Sequence, residues 1–242
     1  MTSGLSGPAT ADARAHAFVA DLEAPDLDEV DRHHFERVLR LRPGDPITVG
    51  DGQGGWRTCR LGPIVEPVSE LVVEAPSSPV LTVAFALVKG ERPEWIVQKL
   101  TELGIDRIVP FTAARSVIRW DGERVAHHHV RAVAVARAAA MQSRRAWLPD
   151  VDPVADFNDV ATLGGAALAD RDGGPPTLNH FTMLVGPEGG WSPAERSSGL
   201  PVVRLGTGVL RAETAAVAAG AVLTALRAGL VGPRTAHDYG PC

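Results

Sequence analysis

The sequence predicts an α/β protein with a mostly parallel sheet, preceded by a small β-rich domain. Three observations carry this reading. Val80 to Val88 is almost wholly apolar, as in a strand covered on both faces. From there to Ala228, apolar runs of strand length alternate with stretches of helical period, and a βαβα order implies a parallel sheet. Ahead of it, Ala75-Pro76-Ser77-Ser78-Pro79 reads as a linker after a segment of short alternating runs and glycine turns. The expected division is therefore 1–76 and 77–242, and 242 residues suffice for two domains with cores of their own.

In the first segment, His16 to Val19 is the first strand. Asp31 is placed to cap a helix whose Phe35, Val38 and Leu39 share one face, and Arg42-Pro43-Gly44-Asp45 breaks that helix. Ile47 and Val49 alternate as a strand, Asp51-Gly52 and Gly54-Gly55 turn, and Trp56 to Leu61 returns. Leu71 to Val73 adds a further strand.

In the second segment, Pro93 and Glu94 suit the first turn of a helix lined by Ile96, Leu100 and Leu103 and stopped by Gly104. Ile105 to Phe111 is the next strand and Asp121 to Arg145 a long helix. Ala166 to Ala169, Phe181 to Val185 and Val202 to Leu205 are strands. Ser192-Pro193-Ala194-Glu195 has the form of a capping box. Ala212 to Ala228 is apolar nearly all round, which predicts a buried helix, and residues 229–242 predict a loose tail.

Composition narrows the function classes. No run of about 18 apolar residues occurs, so no membrane-spanning helix is expected, and the N-terminus lacks the order of a signal peptide. Cys59 and Cys242 are the only cysteines, which fits a cytoplasmic protein without a disulfide framework. The net charge of −5 argues by itself against a nucleic-acid partner. Its distribution argues otherwise. Residues 1–76 carry −6 and the remainder +1, and two stretches are Arg-rich. One holds Arg32, Arg37, Arg40 and Arg42 beside His33 and His34. The other runs from Arg115 through Arg119, Arg124, Arg131 and Arg137 to Arg144 and Arg145. Local basic faces attract phosphates whatever the net charge.

Two strand-to-helix junctions carry the candidate chemistry. Val185-Gly186-Pro187-Glu188-Gly189-Gly190-Trp191 follows one strand and precedes the capping box. Leu205-Gly206-Thr207-Gly208-Val209-Leu210-Arg211-Ala212-Glu213-Thr214-Ala215 joins another to the last helix. Open α/β sheets bind ligands beyond the carboxyl ends of their strands, where glycines let backbone approach. Neither a G-x-G-x-x-G fingerprint nor a phosphate-binding P-loop is present. Glu213 suits a helix N-terminus, whereas Arg211 gains nothing from the dipole and calls for a ligand or a carboxylate. Lys99 and Glu102 are spaced i,i+3 on one helix. His127, His128 and His129 point about 100° apart on a helix, so no metal site is expected there.

Together, these segments resemble the bacterial family of 16S ribosomal RNA (uracil-N3) methyltransferases of the SPOUT superfamily. The matching stretches are His33 to Asp45, the Asp51-Gly52 turn, Trp95 to Gly104, Arg115-Ser116, Gln142-Ser143-Arg144, Gly186 to Gly190 and Leu210 to Ala215. They occur in family order over about residues 14–228. The resemblance implies a PUA-like β-barrel at the N-terminus that binds RNA. It implies a SPOUT-type C-terminal domain with a trefoil knot over about residues 181–228, which binds S-adenosylmethionine and forms a homodimer on the small ribosomal subunit. The cofactor would lie against Val185, Gly186, Pro187, Glu188, Gly189, Gly190, Leu205, Gly206, Val209, Leu210 and Thr214. RNA would meet His33, Arg37, Arg40, Arg42, Lys99, Arg115, Gln142 and Arg144. The chain departs from the family pattern at Ala212, Gly208 and Ala138, where members commonly have threonine, arginine and glutamate.

Methylating N3 of uracil requires a base for the imide proton, a donor for the charge left on the ring, and in-line placement of the methyl. Arg211 is the candidate donor. Glu213 and Glu102 are the candidate bases, with Glu188 as a third. Covalent methylation at C5 would need a cysteine, and neither Cys59 nor Cys242 adjoins the glycine turns. Ribose 2′-O-methylation and a non-catalytic role in ribosome assembly stand as rivals. A hydrolase is disfavoured because no G-x-S-x-G element occurs.

Overall fold

The computed structural model describes residues 7–90, 92–120 and 122–232. The chain forms two compact units, one of Met1–Ser77 with Arg131–Asp150, the other of Ser78–Val130 with Val151–Cys242.

The first unit contains β1 (His16–Phe18), α1 (Glu29–His33), β2 (Pro46–Gly50), β3 (Gly55–Arg60), β4 (Glu66–Pro67) and β5 (Val72–Val73). β1 pairs parallel to β2, and β3 pairs antiparallel to β2, β4 and β5. Its core is Ala17, Ile47, Val49 and Cys59, closed over by Phe35, Leu41, Leu61 and Val65. Burial lifts the Cys59 thiol to about 11.

The N-cap of α1 is Asp28, whose carboxylate accepts from the Asp31 amide at 2.7 Å, and not Asp31 as the sequence suggested. Asp31 is buried one turn in, where Arg137 binds its two oxygens at 2.6 and 3.3 Å and also donates to the Phe18 carbonyl. After α1 the chain makes a π-helical turn over His34–Val38. Its wider i→i+5 repeat ends the 3.6-residue face. Phe35 is therefore buried while Val38 and Leu39, expected on the same face, are exposed.

Residues 131–150 are integral to this unit, which a division at 76/77 does not foresee. Met141 packs on the core, the Gly54 amide donates to the Ala146 carbonyl, the Leu148 amide to Gly52, and the Trp147 indole to Glu74. These are contacts far apart along the chain, and no local pattern announces them.

The second unit contains β6 (Thr82–Ala86), α2 (Arg92–Leu103), β7 (Arg107–Thr112), the start of α3 (Gly122–Gln142), β8 (Asp150–Val151), β9 (Ala155–Asp156), α4 (Phe157–Ala161), β10 (Ala166–Gly174), β11 (Thr182–Val185), α5 (Pro193–Arg196), β12 (Val202–Val203) and α6 (Ala212–Arg227). Strand order is β12-β10-β11-β6-β7-β8, with β9 beside β7. Every pairing from β12 across to β7 is parallel. Every residue of β6 and β11 is buried, as their unbroken apolar runs require. The chain runs from β6 outward to β7, then crosses to build β10 and β11 on the other side. Beside β6 the order reverses, which makes a topological switch point.

α6 lies against α2, and a Cβ on Gly220 would come within 2.7 Å of Leu100, so glycine is what permits the close approach. The expectation of all-round burial for α6 is corrected: Ala212, Ala216, Ala219, Gly220 and Leu223 are buried, whereas Val217, Val222 and Leu226 are half-buried. α3 stops at Gln142, short of the expected Arg145, and Arg144 follows with φ of 53°. Of the expected loose tail, residues 233–242 lie outside the described residues. Among the described residues no helix is long and apolar enough to cross a membrane.

Candidate active site

Parallel strands end along one edge, so the turns that leave them converge. Those after β11 and β12, with part of β10, wall a cavity of about 430 Å³. Val185 to Trp191 form one wall, and Leu205, Gly206, Gly208, Val209, Leu210, Ala212 and Ala215 another. The third is a bulge. Ala169 and Gly174 of β10 both oppose Val203, so the residues between them are extruded. Asp170 and Arg171 of that bulge line the cavity, and Asp170 pairs with Arg196 of α5, which lines it too.

Trp191 sets the shape of the first wall. Its ring is buried, stacks at 8° on Phe111 and donates to the Ala169 carbonyl at 3.0 Å. A Cβ on Gly186 would lie 2.9 Å from this ring, so only glycine fits beside it. The turn ends in the expected capping box: Ser192 and Glu195 bond reciprocally at the start of α5. Glu195 also accepts from the Ala114 amide at 2.8 Å, which ties the loop after β7 to the same wall.

The three candidate glutamates separate. Glu102 does not line the cavity; Lys99 holds both of its oxygens, at 2.9 and 2.8 Å. Glu188 lines the cavity and its side chain is 64% exposed. Glu213, in the first turn of α6, does not line the cavity either; it follows the lining residue Ala212, is 14% exposed, and has its Oε2 shielded from water with no hydrogen-bond donor among the described residues. Glu188 and Glu213 converge on one cation: Arg92 Nη1 lies 3.4 Å from an oxygen of each.

The other residues named from sequence divide likewise. Val185, Gly186, Pro187, Glu188, Gly189, Gly190, Leu205, Gly206, Val209 and Leu210 line the cavity, and Thr214 does not, its side chain being exposed on α6. Arg211 is exposed at the N-cap of α6, with no side-chain hydrogen bond or ion pair among the described residues. Arg115 lines the cavity and donates to the Gly189 carbonyl at 3.1 Å. His33, Arg37, Arg40, Arg42, Gln142 and Arg144 all belong to the first unit, and all but the half-buried Arg144 are exposed. Arg40 and Arg144 both have positive φ, 56° and 53°. His128, of the consecutive histidines, stacks on Trp120 with its Nδ1 3.2 Å from Glu94, and His129 bonds the Val151 carbonyl.

Sequence reading missed Asp170, Arg171, Arg196 and Arg92. The first three depend on the bulge in β10, which has no local signature. Arg92 had a signal: a cation at a helix N-terminus opposes the dipole, which singled out Arg211 and applies equally here.

The match to known proteins covers both units. A family model described as an RNA methyltransferase domain matches residues 75–224, and one described as an RNA methyltransferase PUA domain matches residues 27–64. The chain is 36% identical over 225 residues to the ribosomal RNA small subunit methyltransferase E of Mycobacterium bovis, covering 81% of this chain and 84% of that one. It is 32% identical over 211 residues to the Bacillus subtilis protein of the same name, covering 76% and 82%. The structure of the Neisseria gonorrhoeae protein of that name, bound to S-adenosyl methionine, superposes with a TM-score of 0.73 at 26% identity, covering 88% of this chain and 97% of that one. With identity spread over both units and the α/β fold shared, this chain belongs to the ribosomal RNA small subunit methyltransferase E family.

Proposed function

We propose that this protein transfers a methyl group from S-adenosylmethionine to N3 of a single uridine of 16S ribosomal RNA in the small ribosomal subunit. The observation that carries the reading is the glycine-walled cavity, whose lining residues Leu210 and Ala212 flank Arg211 and directly precede Glu213 at the head of one helix. Family membership supports the reaction class. Membership also supports a trefoil knot over about residues 181–228, a homodimer and a cytoplasmic setting. The half-buried Val217, Val222 and Leu226 on α6, and the exposed Val209, suit burial against a second copy.

The residues present fit the cofactor. The cavity's volume lies in the range of about 300–1,000 Å³ usual for small-molecule sites. Val185, Leu205 and Leu210 offer apolar contact, and the glycine turns offer backbone groups. When bound, S-adenosylmethionine supplies an electrophilic methyl group. Glu213 accepts the imide proton of the uracil, the role its unpaired Oε2 suits. Arg211 stabilises the negative charge left on the ring oxygens. Both oxygens of Glu102 are engaged by Lys99, which favours Glu213 over it as the base.

RNA meets the first unit through His33, Arg37, Arg40, Arg42, Gln142 and Arg144. Lys99 and Arg115, engaged by Glu102 and Gly189, serve the scaffold instead. The test is transfer of labelled methyl from S-adenosylmethionine to small subunits from cells lacking this gene. Wild-type protein is expected to label the RNA, Glu213→Gln to slow a single turnover about 100-fold, and Glu102→Gln to leave it within about threefold. No transfer by the wild-type protein would overturn the reading.

A further inference from the structure

We propose that Arg92 is a positioning residue for the methyl transfer, holding Glu213 in place through an ion pair. The inference rests on the reading of Glu213 as the base. Arg92 opens α2, six residues after β6 ends at the carboxyl edge of the sheet. A cation there opposes the helix dipole, so the position costs stability unless a carboxylate offsets it. Two do. A single nitrogen, Nη1, stands 3.4 Å from Glu188 Oε1 and 3.4 Å from Glu213 Oε1. The two glutamates come from different elements, one from the turn after β11, which walls the cavity, and one from the first turn of α6.

This arrangement decides how Glu213 stands. With Oε1 engaged by Arg92 and Oε2 buried without a donor among the described residues, the carboxylate keeps one oxygen committed and one unsatisfied. A shielded carboxylate oxygen without a donor is costly, and its natural complement is an N–H group brought by a substrate. Without Arg92, Glu188 and Glu213 face each other as like charges and repel. The outer pair, between side chains 44% and 64% exposed, is weak, while the pair to the 14% exposed Glu213 carries the positioning.

The experiment compares Arg92→Ala, Arg92→Lys, Glu213→Gln and the double variant Arg92→Ala/Glu213→Gln. It measures single-turnover methylation of small subunits across pH at saturating cofactor and RNA. Calorimetric affinity for S-adenosylmethionine and Tm serve as readouts of structure. Misplacing a reacting group by about 1 Å costs about 100-fold, and Arg92→Ala is expected to lose about that much. Cofactor affinity should stay within about threefold, and Arg92→Lys should recover about tenfold of the rate. Arg92 acts through Glu213, so the double variant should be no slower than Glu213→Gln and should share its pH profile. Multiplying losses in the double variant, a lysine variant no better than alanine, or an unchanged rate in Arg92→Ala would each overturn the inference while leaving Glu213 as the base. A wild-type rate in Glu213→Gln would overturn the base assignment itself, and this inference with it.

Discussion

At the scale of single residues, two contacts set the terms. Gly186 exists for Trp191: a methyl group there would meet the indole at 2.9 Å and push it from its bond to Ala169. Gly186→Ala is therefore expected to weaken S-adenosylmethionine binding at least about tenfold in calorimetry, with a smaller loss in Tm. Arg137 neutralises the buried Asp31 and holds the Phe18 carbonyl. Asp31 in turn holds the Arg137 guanidinium in its charged form more firmly than usual. Arg137→Ala leaves that carboxylate buried and unpaired, and urea unfolding should show a loss of roughly 3 kcal/mol. Residue identities were the most legible part of the site, since the two glycine junctions named ten of the cavity's lining positions. Sequence alone left three glutamates in contention. Lys99 sets Glu102 apart, and burial with an unsatisfied Oε2 sets Glu213 apart from the exposed Glu188; helix spacing announces only the first of these.

At the scale of elements, legibility followed locality. The capping box of α5 was readable because Ser192 and Glu195 sit three residues apart and serve each other. The cap of α1 was misplaced because Asp28 and Asp31 are both acceptable caps, and only the partner Arg137, far along the chain, makes Asp31 an interior residue. The bulge in β10 exists only in relation to β12, so Asp170 and Arg171 were invisible as cavity residues. Glu195 shows how a local element acquires a wider duty, since it also fastens the Ala114 amide. Glu195→Ala removes both bonds. It should destabilise the second unit by about 2 kcal/mol and weaken cofactor binding, readable from thermal unfolding with and without S-adenosylmethionine.

At the scale of the whole molecule, charge and acidity are the levers. Residues 131–150 bring Arg131, Arg137, Arg144 and Arg145 to the first unit against only Asp150. The second Arg-rich stretch is thus divided between the units, and the acidic character of residues 1–76 is partly offset within the first. RNA affinity should fall steeply with salt, and Arg37→Glu or Arg40→Glu should weaken it while leaving cofactor affinity unchanged, as filter binding and calorimetry would show. His16 makes the first unit acid-sensitive. Burial, reinforced by the charges of Arg144 and Arg137, lowers its pKa to about 4 from 6.5. Above the unfolded value the ring is neutral in both states and its contribution is complete. As pH falls toward 4 the unfolded chain takes up a proton that the folded one refuses, and up to about 3 kcal/mol is lost. Urea unfolding between those limits should show the slope, and His16→Gln should flatten it.

The proposed reaction joins the cavity to Glu213 in the methylation of one uracil ring nitrogen. It is tested most directly by mapping methyl groups on 16S RNA by mass spectrometry, using small subunits from cells lacking the gene, before and after incubation with the protein and S-adenosylmethionine. One new methyl is expected, on N3 of one uridine, formed by the wild-type protein and nearly absent with Glu213→Gln. A methyl on a ribose oxygen, or one formed equally well by Glu213→Gln, would contradict it.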